Sequence, residues 1–211
     1  MDKVGQRKVR SDKKRDIKPT VTKELKDCIY RLSFITDTPI KDVIEEILIA
    51  GSTNRKVISY LSRYFLRDVK IGNSIYLGDS DRMPVSKRTP NEKGERISTR
   101  VTESMHDSLS AIGYAMGCSV ARATTLLLDA TVRDTEFVNE FARTYIEANV
   151  DEKRMKELKK VLAYINAGNP YDERISWASL LTYLMDEVRI GVEKVQDTVT
   201  EFVVNHWRDK E

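Results

Sequence analysis

The sequence is poor in the residue types from which catalytic and metal sites are usually built. It contains 2 cysteines and 2 histidines among 211 residues. Cys28 and Cys118 belong to no CxxC motif, so we expect two free thiols in a reducing compartment. His106 and His206 belong to no HExxH motif, and no P-loop, GxSxG or zinc-ligand spacing occurs. We therefore expect no enzyme activity, no metal site and no cofactor.

Long apolar runs and a large net charge are also missing. No apolar stretch approaches the ~20 residues of a membrane span, and the basic N-terminus lacks the apolar core of a signal peptide. We expect a cytoplasmic chain that has no membrane partner. The net charge is only +3, but residues 1–15 alone carry +5, whereas residues 16–150 are neutral and residues 151–211 carry −2. The excess positive charge is therefore confined to an N-terminal arm.

The segment 95–101, ERISTRV, has the period-2 alternation of a strand with one polar and one apolar face. Thr102 is a good N-cap, and helical spacing follows it until Gly117, where a helix is expected to end. Ser119 can cap a second helix. The pattern predicts a strand, a helix, a tight turn and a second helix.

The same pattern occurs earlier in the chain, and one constant offset relates the two copies. Ile17 matches Ile97, Thr22 matches Thr102, and the match continues without a gap into a third helix. Residues related by this offset are called matching positions below. In the first copy, Thr38 is expected to cap the second helix, Pro39 to start it and Gly51 to end it. Two similar units, each of one strand and three helices, are predicted.

The two strands are expected to bury one face each and to expose the other. Ile17, Pro19 and Val21 would lie inside in the first strand, and Pro19 belongs at an edge or at a non-bonded position because it has no N–H to donate. A lone strand has no ladder partner, so the two strands are expected to pair antiparallel into a ribbon. The exposed face would carry six residues: Asp16, Lys18, Thr20, Arg96, Ser98 and Arg100.

The predicted fold is mainly α with a short β-ribbon, and the chain divides into five parts. These are a basic disordered arm (1–15), a first repeat with an extra helix (16–67), a linker with a possible small hairpin (68–95), a second repeat with an extra helix (96–149) and a helical C-terminal region (150–211). The arm either contacts phosphates or serves as a solubilising tail. The C-terminal region either completes a helical bundle or forms an oligomerisation or partner surface.

Both repeats resemble the ribbon-helix-helix (MetJ/Arc/CopG-type) DNA-binding family. The resemblance rests on residues 97–102, ISTRVT, and on the turn Gly117-Cys118-Ser119, and it covers about residues 17–50 and 97–130. Two copies in one chain are similar to the TraY-type tandem members. The first copy departs from the family pattern at Pro19, Asp37 and Pro39, and the ribbon could form within one chain or between chains.

The resemblance implies that strand residues read base edges and that the N-terminus of each second helix binds phosphate. Arginine suits such reading because it can donate two hydrogen bonds to guanine. The expected base-reading residues are Arg96 and Arg100, followed by Ser98, Lys18, Thr20 and Asp16. The expected phosphate-binding residues are Thr38, Lys41, Ser119, Val120 and Arg122, together with Lys8, Arg10, Lys13, Lys14 and Arg15 of the arm.

The resulting expectation is a sequence-specific double-stranded DNA-binding protein of bacterial, phage or plasmid type, associated with the nucleoid. It would act as a transcriptional repressor or regulator on an operator with repeated sites, and the C-terminal region would join chains into an oligomer. A plasmid transfer or segregation accessory protein would use the same surface. An antitoxin or helical adaptor that captures a protein partner through residues 151–211 is the alternative from another class.

Overall fold

A computed structural model of the chain describes residues 14–85, 94–146 and 151–174. These residues are mainly helical and include short antiparallel β-ribbons. The expectations for residues 1–13 of the arm, for residues 86–93 of the linker and for the helices beyond residue 174 lie outside the described residues. The helices are α1 (Lys23–Thr36), α2 (Ile40–Thr53), α3 (Arg55–Ser62), α4 (Glu103–Met116), α5 (Val120–Val132), α6 (Thr135–Ile146) and α7 (Glu152–Asn166); the strands are β1 (Arg15–Ile17), β2 (Thr20–Val21), β3 (Val69–Ile71), β4 (Ser74–Tyr76), β5 (Glu95–Arg96) and β6 (Thr99–Val101).

One ribbon joins two segments that lie far apart in the sequence. β1 pairs antiparallel with β6, and β2 pairs antiparallel with β5. Both ladders keep one register, which places Lys18 opposite Ser98 between them. The ladder is interrupted beside Pro19, whose carbonyl oxygen accepts from the Ile97 N–H at 3.1 Å but which has no N–H to return. The ribbon therefore forms within one chain.

The first helix after each half of the ribbon begins at a threonine cap. The Thr22 hydroxyl accepts from the Leu25 N–H at 3.2 Å, and the Thr102 hydroxyl accepts from the Met105 N–H at 3.3 Å. Both helices end at a residue in the left-handed conformation, Asp37 (φ 51°) and Gly117 (φ 63°). Because aspartate tolerates this conformation better than most residues do, the first turn forms without glycine. Helices α1, α2 and α3 begin at the positions that match the starts of α4, α5 and α6, respectively.

Three local expectations for the first half were wrong. Gly51 does not end α2, which continues to Thr53. The N-cap of α2 is Pro39, and the Thr38 hydroxyl donates to the Thr36 carbonyl instead of capping the helix. Helix α3 stops at Ser62 instead of reaching residue 67. After Ser62, the Tyr64 and Phe65 N–H groups donate to Leu61 and Ser62 within a turn, and the Leu66 N–H donates to the Ala115 carbonyl of α4 at 2.7 Å.

The core lies between the ribbon and the helices. The inner face of the ribbon is buried, and so are the facing sides of α2 and α5, which pack against each other. Helix α7 covers α1, and its buried residues Met155, Leu158, Val161, Leu162 and Ile165 belong to the same core. The β3–β4 hairpin contacts α4 and turns at Gly72 (φ 57°) and Asn73, where the sequence alternates around Gly-Asn. Residues from beyond both halves of the ribbon thus complete the hydrophobic core.

No single helix within residues 14–85, 94–146 and 151–174 has both the length and the apolar character needed to cross a membrane. Helices α4 and α5 reach that length only when they are taken together, and a bend of 96° separates them.

The close contact between α2 and α5 depends on Gly51, which has no side chain. A Cβ atom at Gly51 would lie 1.9 Å from the Thr131 hydroxyl oxygen and 3.1 Å from a Leu127 methyl carbon. Gly51 and Thr131 occupy matching positions in the two halves. The two helices can therefore approach closely at this point because one of the paired positions has no side chain.

We expect Gly51→Ala to destabilise the fold by about 1–3 kcal/mol, because the added methyl group overpacks the α2–α5 contact. Thr131→Ala removes the hydroxyl oxygen that the methyl group would strike, so the double variant should recover most of the loss. Urea unfolding of the wild type, both single variants and the double variant measures this coupling. Additive effects of the two changes would show that the two side chains do not compete for space.

Candidate nucleic-acid interface

The exposed face of the ribbon consists of the six residues that the sequence places there. Asp16, Lys18, Thr20, Arg96, Ser98 and Arg100 are all exposed, whereas the alternating residues Ile17, Pro19, Val21, Ile97, Thr99 and Val101 are buried. Because side chains alternate along a strand, burying one set on the helices forces the other set outward. The result is a narrow two-stranded surface that carries three basic groups and one acidic group.

The two ends of this face differ chemically. Asp16 lies opposite Arg100, and the Arg100 Nε donates to the Asp16 carboxylate at 2.6 Å. Thr20 lies opposite Arg96 and offers no charge to it. The side chains of Arg100 and Asp16 are 71% and 55% exposed, so their ion pair contributes only about 0–1 kcal/mol. The ion pair with Asp16 can therefore orient Arg100, and a ligand that binds Arg100 more strongly can replace Asp16.

Ion pairs tie each end of the ribbon to a helix of the opposite half. Arg15 of β1 pairs with Glu103 of α4, and Glu95 of β5 pairs with Lys26 of α1. The hydrogen bond from Lys26 lowers the pKa of Glu95, and the same bond raises the pKa of Lys26. Because the Glu95 pKa is lowered, the Lys26–Glu95 ion pair is fully formed at pH values above the usual glutamate pKa. It is lost as the pH falls through the lowered pKa of Glu95. The Lys26–Glu95 ion pair is therefore present at neutral pH.

The helix N-termini beside the ribbon differ in how well they suit an anion. At α5, the Ser119 hydroxyl accepts from the Arg122 N–H at 3.3 Å, and the first backbone N–H groups of a helix have no partner within it. At α2, the N-cap Pro39 has no N–H, and the negative charge of Asp42 in the first turn opposes the positive charge of Lys41. The positive helix end and Arg122 make α5 the more favourable of the two positions for a phosphate.

The structure places the other predicted phosphate-binding residues as follows. Lys41 is exposed on the first turn of α2, and Thr38 and Val120 are half-buried beside the two helix starts. Lys14 donates to Glu45 of α2 at 2.6 Å, so it is engaged within the protein, as Arg15 is. Lys8, Arg10 and Lys13 lie outside the described residues. The described part of the chain contains no group of three or more His, Cys, Asp and Glu side chains that could hold a metal ion.

Two arginines that lie near these helix starts were not among the site residues predicted from the sequence. Arg67 donates to the Tyr114 carbonyl at 2.7 Å, and its guanidinium lies 4.6 Å from the centre of the Tyr114 ring. Arg154 donates to the Phe34 carbonyl at 3.5 Å, and its guanidinium lies 6.0 Å from the centre of that ring. Phe34 and Tyr114 occupy matching positions, and each lies shortly before the turn that leads into α2 or α5. Each turn therefore has an arginine whose guanidinium lies within 6.0 Å of the centre of an aromatic ring, and Arg154 also pairs with Asp151 at 3.5 Å.

The aromatic residues could have been matched from the sequence, but the arginines could not. Arg67 comes from the segment after α3, and Arg154 comes from α7. The offset that relates the two halves does not relate these two arginines, and only the tertiary packing brings them to equivalent places.

The chain matches no protein-family model, no curated protein and no solved structure.

Proposed function

We propose that the chain is a sequence-specific double-stranded DNA-binding protein that inserts its ribbon into the major groove and acts as a transcriptional repressor or regulator. The observation that carries this proposal is the exposed ribbon face, a two-stranded surface with Arg96 and Arg100 near its opposite ends. A two-stranded ribbon fits the major groove, where each base pair presents a distinct set of hydrogen-bonding groups. A plasmid transfer or segregation accessory protein would use this same face.

The arrangement supports two ribbon-helix-helix units that share one ribbon. Lys18 and Ser98 are matching positions that also lie opposite each other, and Gly51 and Thr131 are matching positions that lie in close contact. Residues in matching positions meet each other only near a two-fold axis. We infer that an approximate two-fold axis passes through both places, and that one chain supplies both units of the ribbon.

The proposed symmetry is limited to the backbone. The axis relates the Asp16–Arg100 pair to the Arg96–Thr20 pair, and only the first contains a carboxylate. It also relates the start of α2, which contains Pro39, to the start of α5, which contains Ser119. Two different half-surfaces should prefer two different half-sites, so we expect an asymmetric DNA site.

Arg96 and Arg100 are the proposed readers of guanine. Each can donate to O6 and N7 of one base, and one such pair discriminates by about 1–3 kcal/mol. For Arg100, the bond from its Nε to Asp16 leaves the other guanidinium N–H groups to donate. Asp16 would orient this arginine or accept from a cytosine amino group.

Arg100→Ala should weaken binding to the preferred DNA site by roughly 10- to 100-fold while leaving weak binding to random DNA in place, because one base-reading pair is lost. The site is first obtained by selection from random duplexes, and affinities for selected and random DNA are then compared by fluorescence anisotropy. Arg55→Ala, an exposed arginine of α3, is the matched control and should have little effect. Equal losses on both kinds of DNA would assign Arg100 to the backbone instead.

Asp16→Asn should tighten binding to random DNA and reduce the preference for the selected site. The substitution removes a negative charge that would repel the phosphates, and it also weakens the contact that holds Arg100. The same anisotropy assay, carried out at two salt concentrations, separates the two effects. An unchanged ratio of selected to random affinity would mean that Asp16 neither orients Arg100 nor reads a base.

Arg67→Ala and Arg154→Ala should each make binding less dependent on salt without changing base preference, because both arginines lie beside proposed phosphate sites. One lost phosphate contact lowers the slope of log K against log salt by about 0.9. Arg63→Ala is the matched control: Arg63 also lies over an aromatic ring, 4.0 Å from the centre of Tyr60, but at the C-terminal end of α3. If all three variants keep the wild-type slope, Arg67 and Arg154 do not contact DNA.

A further inference from the structure

The β3–β4 hairpin carries the two most exposed large hydrophobic side chains of the described part of the chain. Ile75 of β4 is 69% exposed, and Leu77, directly after β4, is 73% exposed. Tyr76 between them packs against the core, so alternation places Ile75 and Leu77 together on the outward face. The chain is still beside the first strand at Leu77, because the next N–H, that of Gly78, donates to the Asp68 carboxylate at 2.8 Å. The result is an apolar strip along the outer strand of the hairpin.

The backbone of this strip lies at the open edge of the hairpin. The bridge between Ile71 and Ser74 closes a two-residue loop, so it is a hydrogen-bonded pair, and bonded and non-bonded pairs then alternate along the ladder. The N–H and C=O groups of Ile75 therefore point away from β3, and so do those of Leu77. Among the described residues, β3 is the only strand that pairs with β4. The outer edge of β4 can therefore pair with another strand.

The open backbone and the apolar strip make this edge complementary to a second copy of itself. If two β4 edges meet antiparallel about a two-fold axis at Tyr76, Ile75 lies opposite the partner's Leu77, and Leu77 lies opposite the partner's Ile75. On both strands the N–H and C=O groups at these positions point across the contact, so both are hydrogen-bonded pairs. An axis at Ile75 would keep such bonds but would place Leu77 opposite the partner's Asn73, which leaves one apolar pair instead of two.

The side chains of two joined edges also fit each other. Cross-strand apolar pairs stabilise antiparallel sheets, and here four apolar side chains would cover one another on one face. Lys70 lies opposite Ile75 on β3, so Lys70 and the partner's Lys70 are separated by three strand spacings, about 14 Å. That distance exceeds the Debye length of about 8 Å at physiological salt, so the two lysines repel each other only weakly. Charge therefore does not oppose the pairing.

We propose that two copies of the chain join through their β4 edges into a four-stranded antiparallel sheet with the order β3–β4–β4–β3. A second copy is the partner that this edge selects, because the positions of its open backbone groups and of its apolar side chains match those of the same edge reversed. The contact differs from the C-terminal region, residues 150–211, for which the sequence predicts oligomerisation.

The proposed contact is small. Two short strands bury far less than the ~1,200–2,000 Å² of a stable interface, so free chains should associate weakly. Chains bound at neighbouring DNA sites would be held at millimolar effective concentration, where a weak contact is sufficient for cooperative binding. This consequence rests on the proposed function, whereas the pairing itself does not.

Disulfide formation between cysteine variants of the full-length chain tests the contact and its register. The register sets the Cα atoms of Ile75 and the partner's Leu77 about 5.5 Å apart, within the reach of a disulfide, and the two Ile75 Cα atoms about 9 Å apart, beyond it. Ile75→Cys and Leu77→Cys are each combined with Cys118→Ser. The remaining native thiol, Cys28, is buried, and burial raises its pKa to about 12.

After mild oxidation of an equal mixture of the two variants, mass spectrometry should find the mixed dimer at least tenfold above either self-dimer. Random collision gives only a twofold excess. A statistical mixture, or a predominant self-dimer of either variant, would overturn the proposal.

Charged substitutions at the same two positions test the pairing without a covalent bond. In Ile75→Lys/Leu77→Lys each opposed pair joins like charges, whereas in Ile75→Lys/Leu77→Glu each joins opposite charges. Both double variants change the same two exposed side chains, so a difference between them reports on the contact and not on folding. Sedimentation equilibrium up to millimolar concentration should show at least tenfold weaker self-association for the variant with two lysines.

Ile49 of α2, which is 51% exposed, provides the controls for both experiments. Ile49→Cys mixed with Leu77→Cys should give a statistical set of dimers. Ile49→Lys and Ile49→Glu differ by the same net charge as the two double variants do, and they should self-associate equally. Equal self-association of the two double variants, or a wild-type chain that stays monomeric up to millimolar concentration, would contradict the pairing of β4 edges.

Discussion

The antiparallel pairing of two distant strand segments is the constraint on which the rest of the structure depends. Each segment contributes only a few residues, and neither has another ladder partner among the described residues. An extended segment this short gains stability only when its backbone groups are paired and its inner face is covered. The pairing fixes which side chains face outward and brings the two halves of the helical core together. The exposed set of polar residues is therefore a consequence of how the core is closed.

Features governed by local periodicity could be predicted from the sequence. The faces of the ribbon follow from period-2 alternation, and the starts of α1 and α4 follow from Thr22 and Thr102. The β3–β4 hairpin follows from alternation around Gly72 and Asn73. In each case the residues that determine the conformation are close neighbours in the sequence, so the pattern contains the necessary information.

Features governed by contacts between distant residues could not be predicted in this way. Glycine often follows the end of a helix, but Gly51 lies inside α2. It lies where α5 approaches α2 too closely for a side chain to fit. Arg100 could be assigned to the exposed face, but its pairing with Asp16 depends on the strand register, which alternation alone leaves open. The places of Arg67 and Arg154 depend on the packing of segments outside the matching halves.

When one chain forms both halves of a ribbon, the two halves of its exposed face can carry different residues. When two identical chains build a ribbon, every substitution appears on both sides of the axis, so the two half-surfaces stay the same. In a single chain the two sides can differ, as Asp16 and Arg96 do at matching positions, and as Pro39 and Ser119 do at the starts of α2 and α5. A single chain can also support its two halves differently, with α7 on α1 and the β3–β4 hairpin on α4. The shared backbone geometry therefore places few restrictions on the chemistry of each half.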